Sequence, residues 1–192
     1  AELSRDFSWI RVRATAIAAS GDKDPFDDKE SGFDAILENP QIAGADTSFW
    51  IRQAVPLIGG GGVALSGRNG LLPSLRSSKD QGQSNFVNPG LTLLGIGADF
   101  NFTPQLRVIG NISKLDFVDT SSLEVLRNQG NISTDIGVDI SAGMQYRPLM
   151  TQNIVLNASV AALLPGKGYK QLFDADHGNT QYSVLFNLLM SF

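Results

Sequence analysis

Between positions 22 and 30 the chain carries Asp22, Asp24, Asp27, Asp28 and Glu30, hard oxygen donors of the kind calcium takes. The stretch lacks the glycine and the twelfth-position glutamate of an EF-hand loop. Two readings therefore stand: a calcium site on Asp22, Asp24, Asp27 and Asp28, or a solvated acidic loop. His177 stands alone between Asp176 and a glycine, with Asp174 nearby, and a single imidazole makes a poor metal site. Gly59 to Gly62 and Gly166-Lys167-Gly168 share only their glycines with a phosphate-binding loop; no Gly-Lys-Ser/Thr follows, and both read as turns. With no cysteine, no second histidine and no nucleophile elbow, the residues assemble no catalytic constellation, so a non-enzymatic role is expected, without cofactor apart from that calcium.

The other chemistry is ionic and lies within alternating segments: Arg11, Arg13, Arg52, Arg107 and Arg147 against Asp99, Asp135 and Asp139. From Phe7 to Ala19, Ile10, Val12, Ala14, Ala16 and Ala18 oppose Trp9, Arg11, Arg13 and Thr15. Similar period-2 sets run through Leu94–Phe102, Asp135–Arg147, Asn153–Leu164 and Gln181–Phe192. A strand turns such sets to opposite faces, whereas a helix would scatter them. Gln105–Asp119 alternates through Ile112 and then shifts to Leu115 and Phe117, which predicts a bulge near Ser113 and Lys114. Phe49, Ile51, Val55 and Leu57 give a further face. If the apolar sets meet lipid, each arginine on that side near the midplane would cost about 2–4 kcal/mol. The arginines and their aspartates are therefore expected to point inward, as the lining of a lumen with a weak anion preference or as an Arg–Asp network filling a plugged interior.

Composition narrows the class. The 192 residues suffice for one unit, taken as a single domain over 1–192, and no apolar run reaches the length of a spanning helix. Absence of cysteine fits an oxidising compartment and many cytosolic proteins alike, and a net charge of −4 speaks against a nucleic-acid partner. No signal peptide stands at Ala1, so the chain reads as mature or as a cut piece. Tight turns at Thr103-Pro104 and Pro148–Gln152 alternate with long loops at Thr120–Thr134 and Gly166–Thr180. That rhythm is kept if Gly59–Gly62 turns between strands at Thr47–Ile58 and Val63–Leu72, for eight strands in all. Two loop helices are expected: Ser122–Gln129, from a capping box at Ser121 and Glu124 with a stop at Gly130, and Ser31–Glu38. Aromatic girdles are placed at Phe100, Phe102, Tyr146 and Phe192 on one interface and Phe49, Phe117 and Tyr182 on the other.

The last strand, with Tyr182, Val184, Phe186, Leu188, Met190 and Phe192 in phase, resembles the closing strand of a bacterial outer-membrane barrel. That resemblance implies that Tyr182, Phe186 and Phe192 form the signal read by the barrel-assembly machinery. Ser20-Gly21-Asp22-Lys23-Asp24-Pro25, Gly32-Phe33-Asp34, Phe49-Trp50, Asn88-Pro89-Gly90 and Thr103-Pro104 together resemble the alginate-export type of outer-membrane porin. The family is much longer, so the resemblance implies the C-terminal strands of a larger barrel with an Arg-lined conduit. Eight strands alone would close around a filled interior. The expectation is an all-β, antiparallel transmembrane β-barrel segment of the Gram-negative outer membrane. The expected role is that of a porin for passive transport of small or anionic solutes with the lipid bilayer as its partner, or else of a small closed structural or adhesion barrel acting through its external loops. A soluble β-sandwich is the competing fold.

Overall fold

The computed structural model of the chain describes residues 1–24, 26–27, 31–33, 44, 47–49, 54–56, 62–64, 89–149, 153–172 and 179–190. Seven strands form one antiparallel sheet in these residues: β1 (Glu2–Phe7), β2 (Ile10–Ala19), β5 (Leu91–Asn101), β6 (Leu106–Asp116), β7 (Asp135–Tyr146), β8 (Ile154–Pro165) and β9 (Gln181–Met190). The order is β1-β2-β5-β6-β7-β8-β9, and β1 and β9 are its open edges. Two short strands, β3 (Ala54–Pro56) and β4 (Gly62–Ala64), pair only with each other. Among the described residues, no helix is long and apolar enough to cross a membrane.

Every strand of the sheet joins its neighbour through a tight turn at one end or a long connection at the other. Ser8-Trp9, 102–105 and 147–153 mark the short-turn end; the segments 20–90, 117–134 and 166–180 return at the long-loop end. This alternation is as expected, but its strands differ. An unforeseen β1 opens the sheet, and β2 pairs directly with β5 from Ile10↔Phe100 to Ala19↔Leu91. That pairing leaves no place between them for wall strands at Thr47–Ile58 and Val63–Leu72. The 20–90 segment leaves and returns at the same end, where Gly21 backs onto Pro89 so closely that a Cβ there would strike its carbonyl.

Strand β6 stays in register with β5 through Ser113 and Lys114, from Asn101↔Arg107 to Thr92↔Asp116, so the expected bulge is not there. The change of phase has another cause: the face carrying Asn111 and Ser113 turns apolar at Leu115 and Phe117, which pack into a core at the long-loop end. The irregularity lies one step further, at Leu115/Asp116 opposite Gly137 and Asp135. There Ile136 leaves the phase of Val138 and Ile140 and enters that core. Gly137 adopts φ 137°, and a Cβ on it would strike the Leu164 carbonyl oxygen. Gly137→Ala should lower stability by about 1–3 kcal/mol, read as an earlier unfolding midpoint in urea.

The core itself joins Leu91, Leu93, Leu115, Phe117, Ile136 and Leu163 to Leu123 of α1 (Ser121–Arg127) and to Tyr169 and Leu172 of α2 (Lys167–Leu172). Helix α1 differs from the expected 122–129 in both caps. Asp119 Oδ1 accepts the Ser121 N–H at 2.8 Å, and Glu124, instead of closing a capping box, accepts the Ile132 N–H at 2.8 Å. Asn128, in the left-handed region at φ 49°, ends the helix before Gly130. Helix α2 begins where a turn was expected; its Gly168 lies so close to the Ser133 carbonyl that no side chain fits. The expected helix at Ser31–Glu38 lies mostly outside the described residues.

Candidate functional site: the polar face of the sheet

Register assigns each side chain to one of two faces, and the faces are opposite in character. One bears Ile10, Val12, Ala14 and Ala16 of β2, Leu94, Ile96 and Phe100 of β5, and Leu106, Val108 and Ile112 of β6. It continues through Val138, Ile140 and Met144 of β7, Leu156, Val160 and Leu164 of β8, and Tyr182, Val184, Phe186 and Leu188 of β9. This apolar face is the exposed one: Ile96 is 66 % exposed, Phe186 66 % and Val184 78 %. At its short-turn end Trp9, Phe100 and Phe102 cluster with ring centroids 5.6–6.1 Å apart, and Phe7 and Tyr146 close the same rim. The expected girdle at the long-loop end is corrected, because only Tyr182 lies outward there. Phe49 and Phe117 are buried in the core beneath the long loops.

The opposite face is polar and, from β5 to β7, largely covered. Asp99 of β5 is its ionic centre, 3 % exposed, with Arg13 Nη2 at 2.9 Å from Oδ1 and Arg107 Nη2 against Oδ2. Arg13 Nη2 directs its aligned hydrogen to Asn111 Oδ1 at 2.8 Å and meets Asp99 as a charge contact. Arg107 and Arg147, with Gln145, Asn101 and Ser8, line a cleft of about 490 Å³ at the short-turn end. There Arg147 donates to Gln145 Oε1 at 2.8 Å. Near mid-height, Asn111 Nδ2 donates to Thr47 Oγ1 at 3.0 Å, and the Thr47 and Ser141 hydroxyls lie 2.9 Å apart. Asp139, 1 % exposed, lies on the same face between Ser141 and the core. On the long-loop side, burial pushes the Tyr169 hydroxyl of α2 above the ordinary tyrosine range.

The sequence-nominated residues are thus partly gathered. Arg13, Asp99 and Arg107 touch; Arg11 pairs at the open edge with Asp6 at 2.5 Å, both in water. Asp135 stands apart at the long-loop rim, bound by Lys114 and by the Lys167 N–H at 3.1 Å. Arg52 lies outside the described residues, as do Phe192, His177, Asp174, Asp176, Asp28 and Glu30. Asp22 is buried, with the Ser31 hydroxyl 3.2 Å from its Oδ1, and Asp24 closes a turn on the Phe26 N–H at 3.0 Å. Among the described residues no three acidic or imidazole groups cluster as a metal site would require.

Strand β1 changes the charge ledger that sequence alone suggested. Register places Glu2 opposite Thr15 and Asp6 opposite Arg11, on the polar face. Among the described residues that face then holds four cations (Arg11, Arg13, Arg107, Arg147) and four anions (Glu2, Asp6, Asp99, Asp139). Glu2 was overlooked because the alternation of β1 is masked by Arg5 among its apolar positions. The only available signal was Leu3 and Phe7 in phase.

The class these observations define is an all-β protein: an open antiparallel sheet with short turns at one end, long loops at the other, one apolar exposed face and one polar face. Comparison with family models found no match, nor did comparison with curated proteins or with solved structures.

Proposed function

We propose that the chain is a membrane-spanning portion of a bacterial outer-membrane β-barrel that passes small or anionic solutes without catalysis. The observation carrying this reading is the inverted sheet, with aliphatic and aromatic side chains exposed on one face and Asp99, Asn111, Asp139 and Ser141 buried on the other. In water, exposing so many apolar groups forfeits about 25 cal/mol per Å² left unburied, whereas in a bilayer the same face is the solvated one. A soluble sandwich would bury that face. The aromatic rim of Trp9, Phe100, Phe102 and Tyr146 fits a headgroup interface at the short-turn end. Tyr182 and Phe186, exposed on the last strand, are available to the assembly machinery that the sequence resemblance implies.

Strand direction supports closure by strands beyond these seven. β1 and β9 both run from the long-loop end to the short-turn end, since six antiparallel pairings separate them. Closing one on the other would make a parallel pair. Connections that leave and return at one end add wall strands only in even numbers, so antiparallel closure takes an odd number of further strands from outside this sheet. The alginate-export-type resemblance remains part of this proposal and names the solute class as anionic.

A second reading, a small barrel closed by one further strand and acting through its loops, is favoured by one observation: the balanced, hydrogen-bonded interior around Asp99. Planar-bilayer recording on the full-length gene product separates the two. Steps of steady conductance support transport; a sealed, correctly folded barrel contradicts it. If a lumen conducts, Arg147→Gln should shift the reversal potential toward cations, because Arg147 has no carboxylate partner among the described residues and lines the short-turn cleft. An unchanged potential would remove the anion preference from the proposal.

A further inference from the structure

The apolar face carries two cationic side chains among the described residues of its strands, and their surroundings differ. Lys114 of β6 stands at the long-loop rim, held by Asp116 at 2.9 Å and by Asp135. Two carboxylates more than neutralise it. Arg5 of β1 lies opposite Val12, so it faces outward with Leu3 and Phe7, and it is exposed. It has no carboxylate partner among the described residues; the neighbouring Asp6 points to the other face and holds Arg11. The guanidinium lies over the Phe7 ring at 5.0 Å from the centroid, drawn toward the short-turn rim. A ring face attracts the cation without neutralising it.

Beside Arg5 the wall is hollow. Register sets Ala14 between Leu3 and Ile96, and Ala16 opposite Leu94, so the small side chains of β2 floor a trough between larger ones on β1 and β5. The trough measures about 570 Å³ and runs along the strands from the level of Leu3 to that of Lys114. On its short-turn side come Arg5 and Val12, then Phe7 and the cluster of Trp9, Phe100 and Phe102. A charge among aromatic rings at one end and an apolar trough leading away from it match the layout of a lipid.

We infer that this face holds a glycerophospholipid with an anionic head group, its phosphate against Arg5 toward the short-turn rim and an acyl chain in the trough over Ala14 and Ala16. Lipid tails pack as well on one apolar wall as on another, so the trough alone would select no lipid. The uncompensated charge does. At the other rim the surplus of carboxylate over Lys114 repels an anionic head group, which leaves the leaflet at the short-turn end as its place. A further strand pairing with β1 through backbone groups would leave the Arg5 side chain outward and the site intact. The inference rests on the membrane-spanning reading proposed above.

Because the chain has no cysteine, one fluorophore can be attached at Ala98→Cys, in register with Val12, and in a second protein at Val184→Cys on β9. Each protein is placed in mixed vesicles of phosphatidylglycerol and phosphatidylcholine with one lipid or the other brominated, so quenching reads the relative affinity of the two lipids at each position. At 98 phosphatidylglycerol should be preferred about fivefold, the effect of one basic side chain near an anionic head group. At 184 neither lipid should be preferred. Arg5→Gln should abolish the preference at 98 and Arg5→Lys should keep most of it. Should the Gln variant fail to fold, about 1 M salt, which screens the charge, takes its place with the same expected loss. No preference at 98, an equal preference at 184, survival of the preference in Arg5→Gln or its loss in Arg5→Lys overturns the lipid site and leaves the membrane reading standing. Absence of quenching by either lipid at both positions overturns the membrane reading itself, and the site with it.

Discussion

Ile96→Arg should cost about 2–4 kcal/mol of folding free energy in a lipid bilayer and almost nothing in a soluble protein. Ile96 sits midway along β5, on the exposed apolar face, between Ala14 of β2 and Ile112 of β6. In water a guanidinium at an exposed position is well solvated. At the middle of a hydrocarbon layer it must snorkel or thin the bilayer, and the charged groups of that face lie off to its sides, Arg5 on the edge strand β1 and Lys114, Asp116 and Asp135 toward the long-loop end. Reversible urea unfolding from vesicles reads the difference as a lowered midpoint.

Asp99→Ala should cost about 3–5 kcal/mol, because it strands two guanidiniums on a covered face. The side chain of Asp99 is 4 % exposed and that of Arg13 is 13 % exposed, so this pair bears most of the effect. Arg107, at 41 %, regains solvent and contributes less. Replacing the charges together, as Asp99→Leu with Arg13→Met, should recover most of the loss, since the penalty comes from the uncompensated ion and not from the pair's own strength. A urea midpoint that moves little with Asp99→Ala would mean that water reaches this part of the face and solvates the arginines.

How much of this was legible in the sequence depended on whether one face had a single solvent along its length. β7, β8 and β9 were plain because their exposed faces are apolar from end to end, and the period-2 pattern followed. β6 misled at Leu115 because its covered face changes from amide and hydroxyl to core within one strand. β1 was hidden by Arg5, which lies outward over the Phe7 ring at 5.0 Å. Thr47 and Phe49 read as strand positions, yet the first answers to a hydrogen-bonded seat on β6 and β7 and the second to a core built by residues from β5 to α2. Those contacts span tens of residues, and no local pattern encodes them. The Arg13–Asp99–Arg107 cluster was half legible: parity gave the common face, while the register that brings Arg11 opposite Asp99 and Arg13 opposite Gly97 came only with the pairing of β2 to β5.

The most direct measurement uses the absence of cysteine. Single cysteines introduced from Leu94 to Ala98, each labelled with an environment-sensitive fluorophore and placed in vesicles containing brominated lipid, report which face meets hydrocarbon. Positions 94, 96 and 98 should be strongly quenched and positions 95 and 97 weakly, an alternation with period two. Equal, weak quenching at all five positions, with the protein remaining in the aqueous phase, would show that the apolar face is covered by protein and not by lipid.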